Sequence, residues 1–416
     1  MSAAGAQSPR SRFAPLFQEI AAGATERETD RRLAFAEVGA LQEAGFGALR
    51  VPAELGGEGV SVRQLFELLI ELAAADSNFP QIYRAHLGTV EELRVQAARG
   101  DERARHWLEK ASTGTFFGAA VTEPEVGAAD RYRTALTRSA EGWRLNGEKY
   151  YSTGSLYADY LSVAADRDGE RVSVFVPADA PGVAQRDDWN GFGQRLTASG
   201  YSSFADVAVS GEDVSPGGYG SPGRTWSTAY LQLVLLASLA GIAQRVQDDA
   251  VEWARSRTRT FSHAPAALPK DDPLVQETVG KLSAAAFGTR AAVLAVADEL
   301  DALFEDEDPD PARLDAVERS AGQAQDVVVS LTLDASTRLF ELGGASLLAS
   351  DIALDRHWRN ARTLATHNPL IYKLRSIGAN LVGGDPLPFQ WSAGVRPASR
   401  AATPLADDAG RGEAAA

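Results

Sequence analysis

His367, in the run Thr366-His367-Asn368-Pro369, is the side chain best suited to moving a proton. The ordinary pKa of histidine lies near neutrality, so an imidazole can donate a proton and recover it at pH 7. His86 offers the same chemistry earlier in the chain, within Tyr83-Arg84-Ala85-His86. Taken by its spacing alone, His367 is better explained as a helix N-cap or a buried, hydrogen-bonded ring. For His86, packing within a helix is as good an explanation as a functional role.

Two further segments combine hydroxyl groups with an aromatic ring. The first is Thr122-Glu123-Pro124, and the second is Lys149-Tyr150-Tyr151-Ser152-Thr153-Gly154. Asn146-Gly147 between them predicts a tight hairpin, because both residue types can adopt a positive φ. Singly, Tyr151 is explained as a core aromatic of a strand and Thr153 as a turn residue. Together, the two segments favour a site that holds a flat ring with polar edges.

A third segment, Arg255-Ser256-Arg257-Thr258-Arg259-Thr260-Phe261, is basic. The planar guanidinium group presents a fork of donors that suits bidentate phosphate binding. Arg257 and Arg259 are therefore candidates for a phosphate site. A solvated basic helix end, which complements the helix dipole, explains them equally well.

The elements that must position these residues form three blocks along the chain. Helical periodicity predicts an N-terminal helical domain over 1–114, after an irregular start up to residue 12, with Ser61 as an N-cap. Alternating and β-branched stretches predict a β-domain over 115–224. Long apolar helices return over 225–395 as a four-helix bundle, with a fourth helix over 369–382, and the tail 396–416 reads as disordered. This order predicts an α+β fold with segregated layers.

Composition excludes several classes of function. The chain has 416 residues, no cysteine and only five histidines, which removes disulfides and thiol chemistry and disfavours a histidine metal cage. Its net charge of −15 argues against nucleic-acid and anionic-membrane partners. It contains no apolar run long enough for a bilayer span and no apolar secretory segment at the N-terminus. We therefore expect a cytoplasmic protein.

The two loop segments and their setting resemble the middle domain of the acyl-CoA dehydrogenase superfamily, and the resemblance extends over most of the chain. It implies a helical domain, a β-domain and a four-helix bundle, assembled as a homotetramer or dimer around a flavin. Thr122 then lies near the edge of the flavin ring, Tyr151 beside the ring, and Thr153 beside the ring or the phosphate arm. Arg257 and Arg259 are the candidates to reach the flavin phosphate of a neighbouring subunit.

The segment around His367 resembles one branch of that superfamily. Acyl-CoA dehydrogenases carry Tyr-Glu-Gly-Thr near this point, and the glutamate removes the proton α to the thioester. Here Arg359-Asn360-Ala361-Arg362-Thr363 precedes His367, which resembles the flavin-dependent monooxygenases of organosulfur compounds and amines. The resemblance implies reduced FMN (FAD is the alternative), supplied by a separate flavin reductase, and O2 activated as a C4a-hydroperoxyflavin. It gives His367 a catalytic role and places His86 in the substrate pocket.

The chain also departs from its relatives. Gly127-Ala128-Ala129 lacks the serine that helps dehydrogenases to hold CoA, which weakens a CoA-ester interpretation. Ala119 and Ala120 stand where the desulfurisation branch has an asparagine, and Leu364 stands where it has an additional histidine. Two alternatives remain at this point. One is an FAD-containing acyl-CoA dehydrogenase whose base comes from another helix, and the other is a non-catalytic flavin-fold protein.

Overall fold

The N-terminal layer is helical, and three of its helices begin at side-chain caps. The computed structural model describes residues 8–124, 132–217, 223–306 and 308–389. The first helices are α1 (Pro9–Ala22), α2 (Ala24–Asp30), α3 (Phe35–Glu43), α4 (Val62–Ala75), α5 (Asn78–Ala98) and α6 (Glu102–Ser112). Ser61 caps α4 as predicted, and Gln64 completes the reciprocal capping box. The predicted irregular start is wrong for residues 9–12, because Ser8 caps α1 and Pro9 presets its first φ.

The described central segment forms one mixed sheet. Its strands are β1 (Phe117–Ala120), β2 (Ala135–Ser139), β3 (Gly142–Lys149), β4 (Tyr160–Arg167), β5 (Glu170–Pro177), β6 (Val183–Gln185), β7 (Ser202–Val209) and β8 (Val214–Pro216). The order is β6-β7-β3-β2-β4-β5-β8, and β1 pairs in parallel with β4. Asp168 and Gly169, with φ of 54° and 89°, form the turn between β4 and β5.

The predicted hairpin at Asn146-Gly147 is wrong. Both residues lie inside β3, and the pairing with β7 shifts register between Leu145 and Gly147, which marks a β-bulge. Gly147 has φ 149°, and a Cβ there would lie 2.5 Å from Thr134. Glycine is therefore needed here because the two segments of backbone approach closely. The turn before β3 instead follows Ser139, which pairs with Gly142.

The C-terminal layer is helical again and is organised around its first helix. It contains α7 (Ser227–Ser256), α8 (Pro273–Phe304), α9 (Pro311–Arg338), α10 (Asp355–Thr366) and α11 (Leu370–Gly383). In α7, every residue from Leu233 to Ala243 is buried, as expected for a helix surrounded by others. The predicted α+β fold with segregated helical and sheet layers is confirmed. The predicted disordered tail lies outside the described residues.

Helix α10 is not among the helices that periodicity predicted. Its sequence, DRHWRNARTLAT, is strongly polar, so an apolar repeat is hard to recognise. The buried positions nevertheless recur at helical spacing, and the side of α10 that faces the protein carries Arg356, His357 and Asn360 beside Ala361 and Leu364. Tertiary contacts, rather than hydrophobicity alone, account for this helix.

Two helices pass a length-and-hydropathy test for a membrane span. In α7, 83% of the most apolar window is buried inside the protein, and in α8 the share is 39%. The high hydropathy of α7 follows from its place at the centre of the bundle, which requires no bilayer.

One hydrophobic core joins the N-terminal helices to the bundle. It includes Phe13 of α1, Leu65 of α4 and Leu236 of α7. The two layers touch most closely at Gly241, where a Cβ would lie 2.3 Å from the Cβ of Ala73. Since the layers share a core, the groups that they carry are held in one rigid frame.

The β-domain is fixed to this frame through α5. Gly154, in the loop after β3, has φ 77°, and a Cβ there would lie 2.6 Å from the carbonyl oxygen of Ile82 in α5. Its backbone N–H donates to the carbonyl oxygen of Thr197 at 2.9 Å. The loop that carries Tyr151 and Thr153 is thereby held against the helix.

We predict that Gly154→Ala destabilises the protein more than Gly169→Ala. Both glycines have positive φ, so both substitutions incur the cost of a left-handed alanine, about 1–2 kcal/mol. A Cβ at Gly169 meets open space, whereas at Gly154 it meets backbone, which adds roughly 1–3 kcal/mol of overpacking. Denaturant unfolding of the two variants measures the difference. Equal losses of unfolding free energy in the two variants would mean that the loop of Gly154 can move away from α5 without loss of stability.

Candidate active site

Tyr151 is held in a strained backbone conformation with its ring exposed. Its φ is 60°, which is costly for an aromatic residue, and 55% of its surface is exposed. The ring makes edge contacts with Tyr150 at 4.8 Å and with Trp189 at 6.0 Å. Tyr151 therefore lies in a loop after β3, not in the core of a strand. A strained, exposed aromatic residue is typical of a binding surface.

Thr153 belongs to a chain of hydroxyl groups. Its Oγ1 lies 2.8 Å from Oγ of Ser199, which lies 2.7 Å from Oγ1 of Thr197. Thr197 donates to the carbonyl oxygen of Gln194 at 2.9 Å, so Ser199 donates to Thr197 and Thr153 donates to Ser199. Thr153 then keeps acceptor lone pairs for a ligand. Ser199 and Thr197 were not identified from the sequence, because no motif marks them. Their position in the polar loop 194–200 was the one sign that they could belong to a site.

A buried ion pair joins the two loops. Nζ of Lys149 lies 3.0 Å from Oε1 of Glu123 and 3.1 Å from the carbonyl oxygen of Val121, and both charged side chains are almost fully buried. Oε1 and Oε2 of Glu123 also accept hydrogen bonds, both 2.8 Å long, from the backbone N–H groups of Thr134 and Arg133. Next to the pair, the N–H of Tyr150 donates to the carbonyl oxygen of Thr122 at 2.8 Å.

The electrostatics of this pair follow from burial and hydrogen bonding. Burial lowers the pKa of Lys149 to about 8, although Glu123 opposes the shift. Burial works to raise the pKa of Glu123, but the two backbone donors and Lys149 outweigh it and hold that pKa below its ordinary value. At neutral pH both groups are charged, and the pair connects Thr122 to the loop of Tyr151.

His367 lies in the turn between α10 and α11, and this turn is held by two other helices. Nδ2 of Asn368 donates to Oε1 of Gln232 in α7 at 2.7 Å. Nε2 of Gln325 in α9 donates to the carbonyl oxygen of Asn368 at 3.0 Å. His367 itself follows the last residue of α10 and is exposed in the single chain. It therefore terminates a helix and does not begin one.

The imidazole of His367 is crowded by protein although it keeps an exposed surface. This crowding, together with the positive charge of Arg84, lowers the pKa of His367 below its ordinary value, while a hydrogen bond with Asn368 opposes the shift. The side chain of His367 therefore has protein around it while part of its surface stays open to solvent. At neutral pH it is uncharged and offers one N–H donor and one acceptor nitrogen.

Helix α5 connects the two halves of the site. Its Ile82 contacts the loop of Gly154, and its Arg84 lies near His367. The β-domain loops and the turn of His367 are thus fixed to positions two residues apart on one helix. Neither Arg84 nor Gln232 was identified from the sequence, because only the fold brings them to His367.

His86 has a different environment from His367. It is buried, and its ring stacks on Phe116 at 4.9 Å and on Phe117 at 5.6 Å. The N–H of Phe117 donates to Nδ1 at 3.2 Å, so Nε2 carries the proton and donates to the carbonyl oxygen of Gly47 at 2.9 Å. Burial lowers the pKa of His86 to about 4. Both nitrogens are in use, and this geometry favours packing over contact with a substrate.

The arginines after α7 lie at its C-terminal end. The guanidinium of Arg257 donates to Oγ of Ser346 and lies over the ring of Trp253 at 5.6 Å, and Arg259 is exposed. No contact among the described residues joins either arginine to the loops of Tyr151 or Thr122 in the same chain. Ala120 and Leu364 are buried, and the departure at Gly127-Ala128-Ala129 lies outside the described residues.

Family comparisons match the chain in three consecutive parts. The N-terminal domain of acyl-CoA dehydrogenase matches residues 12–115, the middle domain matches 118–207, and the C-terminal domain matches 233–370. The chain belongs to the acyl-CoA dehydrogenase superfamily. The assignment made from the two loop segments is therefore confirmed.

Several relatives of this chain are named monooxygenases, while two at 25% and 26% identity are named acyl-CoA dehydrogenases. A probable FMNH2-dependent monooxygenase, SfnC of Pseudomonas putida, is 27% identical, covering 86% of this chain and 91% of its own. TdsC of Paenibacillus sp. A11-2, solved with FMN and indole, has a TM-score of 0.83 at 26% identity, covering 91% of this chain and 98% of its own. Methanesulfinate monooxygenase MsuC of Pseudomonas fluorescens has the same TM-score and identity, covering 92% and 98%.

We predict that Glu123→Gln destabilises the protein strongly, whereas Glu141→Gln has little effect on its stability. Removing one partner of a buried pair leaves the charge of Lys149 uncompensated, at a cost of about 3–5 kcal/mol. Glu141 forms an exposed ion pair with Arg144, and such pairs contribute at most about 1 kcal/mol. Thermal and denaturant unfolding test the comparison. If both variants unfold alike, the buried pair does not hold the loops.

Proposed function

We propose that the protein is a reduced-flavin-dependent monooxygenase that transfers one oxygen atom from O2 to a small organosulfur or amine substrate. The observation that carries this proposal is His367, in a turn that Gln232 and Gln325 hold through its neighbour Asn368. The sequence around it resembles the segment in which a dehydrogenase carries its glutamate base. The monooxygenase names of its full-length relatives support the same conclusion and favour it over an acyl-CoA dehydrogenase.

The residues of the β-domain suit a flavin. The exposed ring of Tyr151 offers a flat surface, and the strain in its backbone is explained by a role in binding. Thr153, with acceptor lone pairs left by its bond to Ser199, and Thr122 would hold the polar edge. Reduced FMN supplies two electrons for the activation of O2, and the FMN-bound relative supports FMN over FAD.

The overall reaction defines what the protein must do. One oxygen atom of O2 enters the substrate, and the other leaves as water with the two hydrogens of reduced FMN. Four electrons reduce O2, two from FMN and two from the substrate. The chain must therefore exclude bulk water, orient the substrate and move a proton. His367 performs the last task, since a neutral imidazole can donate from one nitrogen while the other accepts.

The proposal also includes a partner protein, an oligomeric assembly and a cellular location. A separate flavin reductase supplies reduced FMN, as the name of the relative SfnC suggests. Arg257 and Arg259 reach the flavin phosphate of a neighbouring subunit in a homotetramer or dimer. Exposed apolar residues on the bundle support such an assembly, among them Phe287 of α8, Val327 of α9 and Val382 of α11. The enzyme functions in the cytoplasm.

We expect His367→Ala to retain FMN binding and to lose most substrate oxygenation. Removing a general acid–base group typically costs about 100- to 10,000-fold in rate. Flavin affinity is measured by fluorescence, and product by mass spectrometry with a flavin reductase, NADH and a panel of sulfides, sulfones and amines. His106→Ala, at an exposed position of α6, is the matched control and should act as wild type. Unchanged turnover in His367→Ala would remove His367 from the mechanism.

A second measurement separates the proposal from a dehydrogenase. A dehydrogenase reduces its bound flavin when it oxidises an acyl-CoA, so the visible absorbance of the flavin disappears. We expect no such bleaching when acyl-CoAs are added to this protein with oxidised FMN or FAD, because His367 replaces the carboxylate base. Bleaching by any acyl-CoA would favour the dehydrogenase, and failure to bind either flavin would favour a non-catalytic protein.

A further inference from the structure

We propose that Asn190 is a site of spontaneous deamidation, and that the isoaspartate formed there loosens the link between the loop of Tyr151 and α10. The chemical step is independent of the proposed function, whereas its consequence for flavin binding rests on that function. The inference is carried by the contrast between two Asn-Gly pairs, at 146–147 and at 190–191, whose surroundings differ.

The reaction consumes water and releases ammonia. The backbone nitrogen of the residue after an asparagine attacks the side-chain amide carbon, a new C–N bond forms, and the amide NH2 leaves as ammonia with the proton of that nitrogen. Water then opens the cyclic imide at either carbonyl carbon, which gives aspartate or isoaspartate. A following glycine favours the attack, because it has no Cβ and the widest choice of backbone angles.

The pair Asn146-Gly147 is held in strand β3, although the side chain of Asn146 is exposed. Asn146 pairs with Ala135 on one side of the strand, and Gly147 pairs with Phe204 on the other. Oδ1 of Asn146 accepts a hydrogen bond from the backbone N–H of Asp206 at 2.8 Å. Attack by the nitrogen of Gly147 would have to release that bond and distort the strand, so we expect this pair to be protected.

The pair Asn190-Gly191 lies in the segment between β6 and β7, outside any helix or strand. Asn190 is exposed and Gly191 is half-buried, so water can reach the pair. Among the residues that the structure describes, no hydrogen bond is made by the side chain of Asn190 or by the N–H of Gly191. Attack by the nitrogen of Gly191 therefore breaks no hydrogen bond with that part of the chain.

The residues on both sides of this second pair are anchored. The carbonyl oxygen of Trp189 accepts a hydrogen bond from Nη2 of Arg31 at 3.1 Å. The carbonyl oxygen of Phe192 accepts from Nη1 of Arg359 in α10 at 2.7 Å, and the ring of Phe192 stacks on that of Trp358 at 6.1 Å. The pair thus spans two fixed points, one of them on the helix that leads to the turn of the candidate site.

An isoaspartate adds one carbon atom to the backbone between these anchors. The segment has little room for it, because a Cβ at Gly191 would lie 2.1 Å from Cζ2 of Trp189. The ring of Trp189 contacts that of Tyr151 at 6.0 Å, and the carbonyl oxygen of Asp188 accepts from the hydroxyl of Tyr150 at 3.4 Å. The longer backbone cannot keep both anchors in this geometry, so the modified protein holds Tyr151 less firmly and binds flavin less well.

The test is storage of the purified protein at mildly alkaline pH, followed by peptide mass spectrometry and labelling with an isoaspartate-specific methyltransferase. We expect Asn190 to react about tenfold faster than Asn146 or more, because Asn146 must first lose a hydrogen bond and its strand pairing. In denaturant, where the fold is lost, the two pairs should react at similar rates, which is the matched control. Equal rates in the folded protein, or faster reaction at Asn146, would overturn the inference.

The consequence is measured as binding of FMN before and after storage. Stored wild type should lose FMN-binding capacity in step with its isoaspartate content. Asn190→Gln, whose longer side chain forms the cyclic imide far more slowly, should keep its capacity. Freshly prepared Asn190→Asp carries the charge of the product without the longer backbone and should bind as fresh wild type does. Equal losses in stored wild type and stored Asn190→Gln would contradict a role of this residue in the loss.

The two hypotheses fail in different ways. If Asn190 reacts faster but stored wild type binds FMN as fresh protein does, the link to the loop of Tyr151 is wrong and the proposed function stands. If fresh wild type binds no flavin, the proposed function fails. In that case the rates at Asn190 and Asn146, which are measured without flavin, still decide whether Asn190 is the site of modification.

Discussion

The buried ion pair between Glu123 and Lys149 is the constraint on which the binding surface of the β-domain depends. Charges that leave water are stable only when they are paired and their remaining hydrogen-bonding capacity is satisfied. Here Glu123 accepts from two backbone N–H groups as well as from Lys149, whose ammonium also donates to Val121. The pair therefore determines how far apart the two loops lie, and it places Thr122 beside the strained loop of Tyr151.

The second requirement is that this surface meets the proton-transferring group, and α5 provides the connection. One side of the helix is touched by the loop of Gly154, and Arg84 approaches the turn that carries His367. Helix α10, which leads to that turn, is fixed on α7 by Nε2 of His357, 2.7 Å from Oδ2 of Asp249. Burial and the nearby Arg356 lower the pKa of His357 to about 4, so this buried contact is between a neutral ring and an ionised carboxylate at pH 7.

Much of the fold could be predicted because its elements carry local signals. Ser61 is an N-cap with a capping box, and Asp168-Gly169 is a turn, since these residue types act through their own backbone. The same reasoning failed at Asn146-Gly147, where glycine serves the close approach of Thr134 and not a hairpin. It also failed at α10, whose inward face is polar because it meets charged groups of other helices. A local pattern cannot distinguish these cases, because the deciding partner is distant in the chain.

The same distinction between local signals and distant contacts applies to the residues of the candidate site. The sequence by itself determined the residue types that can do the chemistry: an aromatic ring and hydroxyls at Tyr151 and Thr153, and a histidine at 367 where a dehydrogenase needs a carboxylate. Only the tertiary structure decided which of them are presented and what accompanies them. It exposes the ring of Tyr151, encloses both nitrogens of His86 in hydrogen bonds, and brings Arg84 to His367. The physical reason is that reactivity depends on burial, hydrogen-bond partners and nearby charge, and these are set by contacts between segments far apart in the chain.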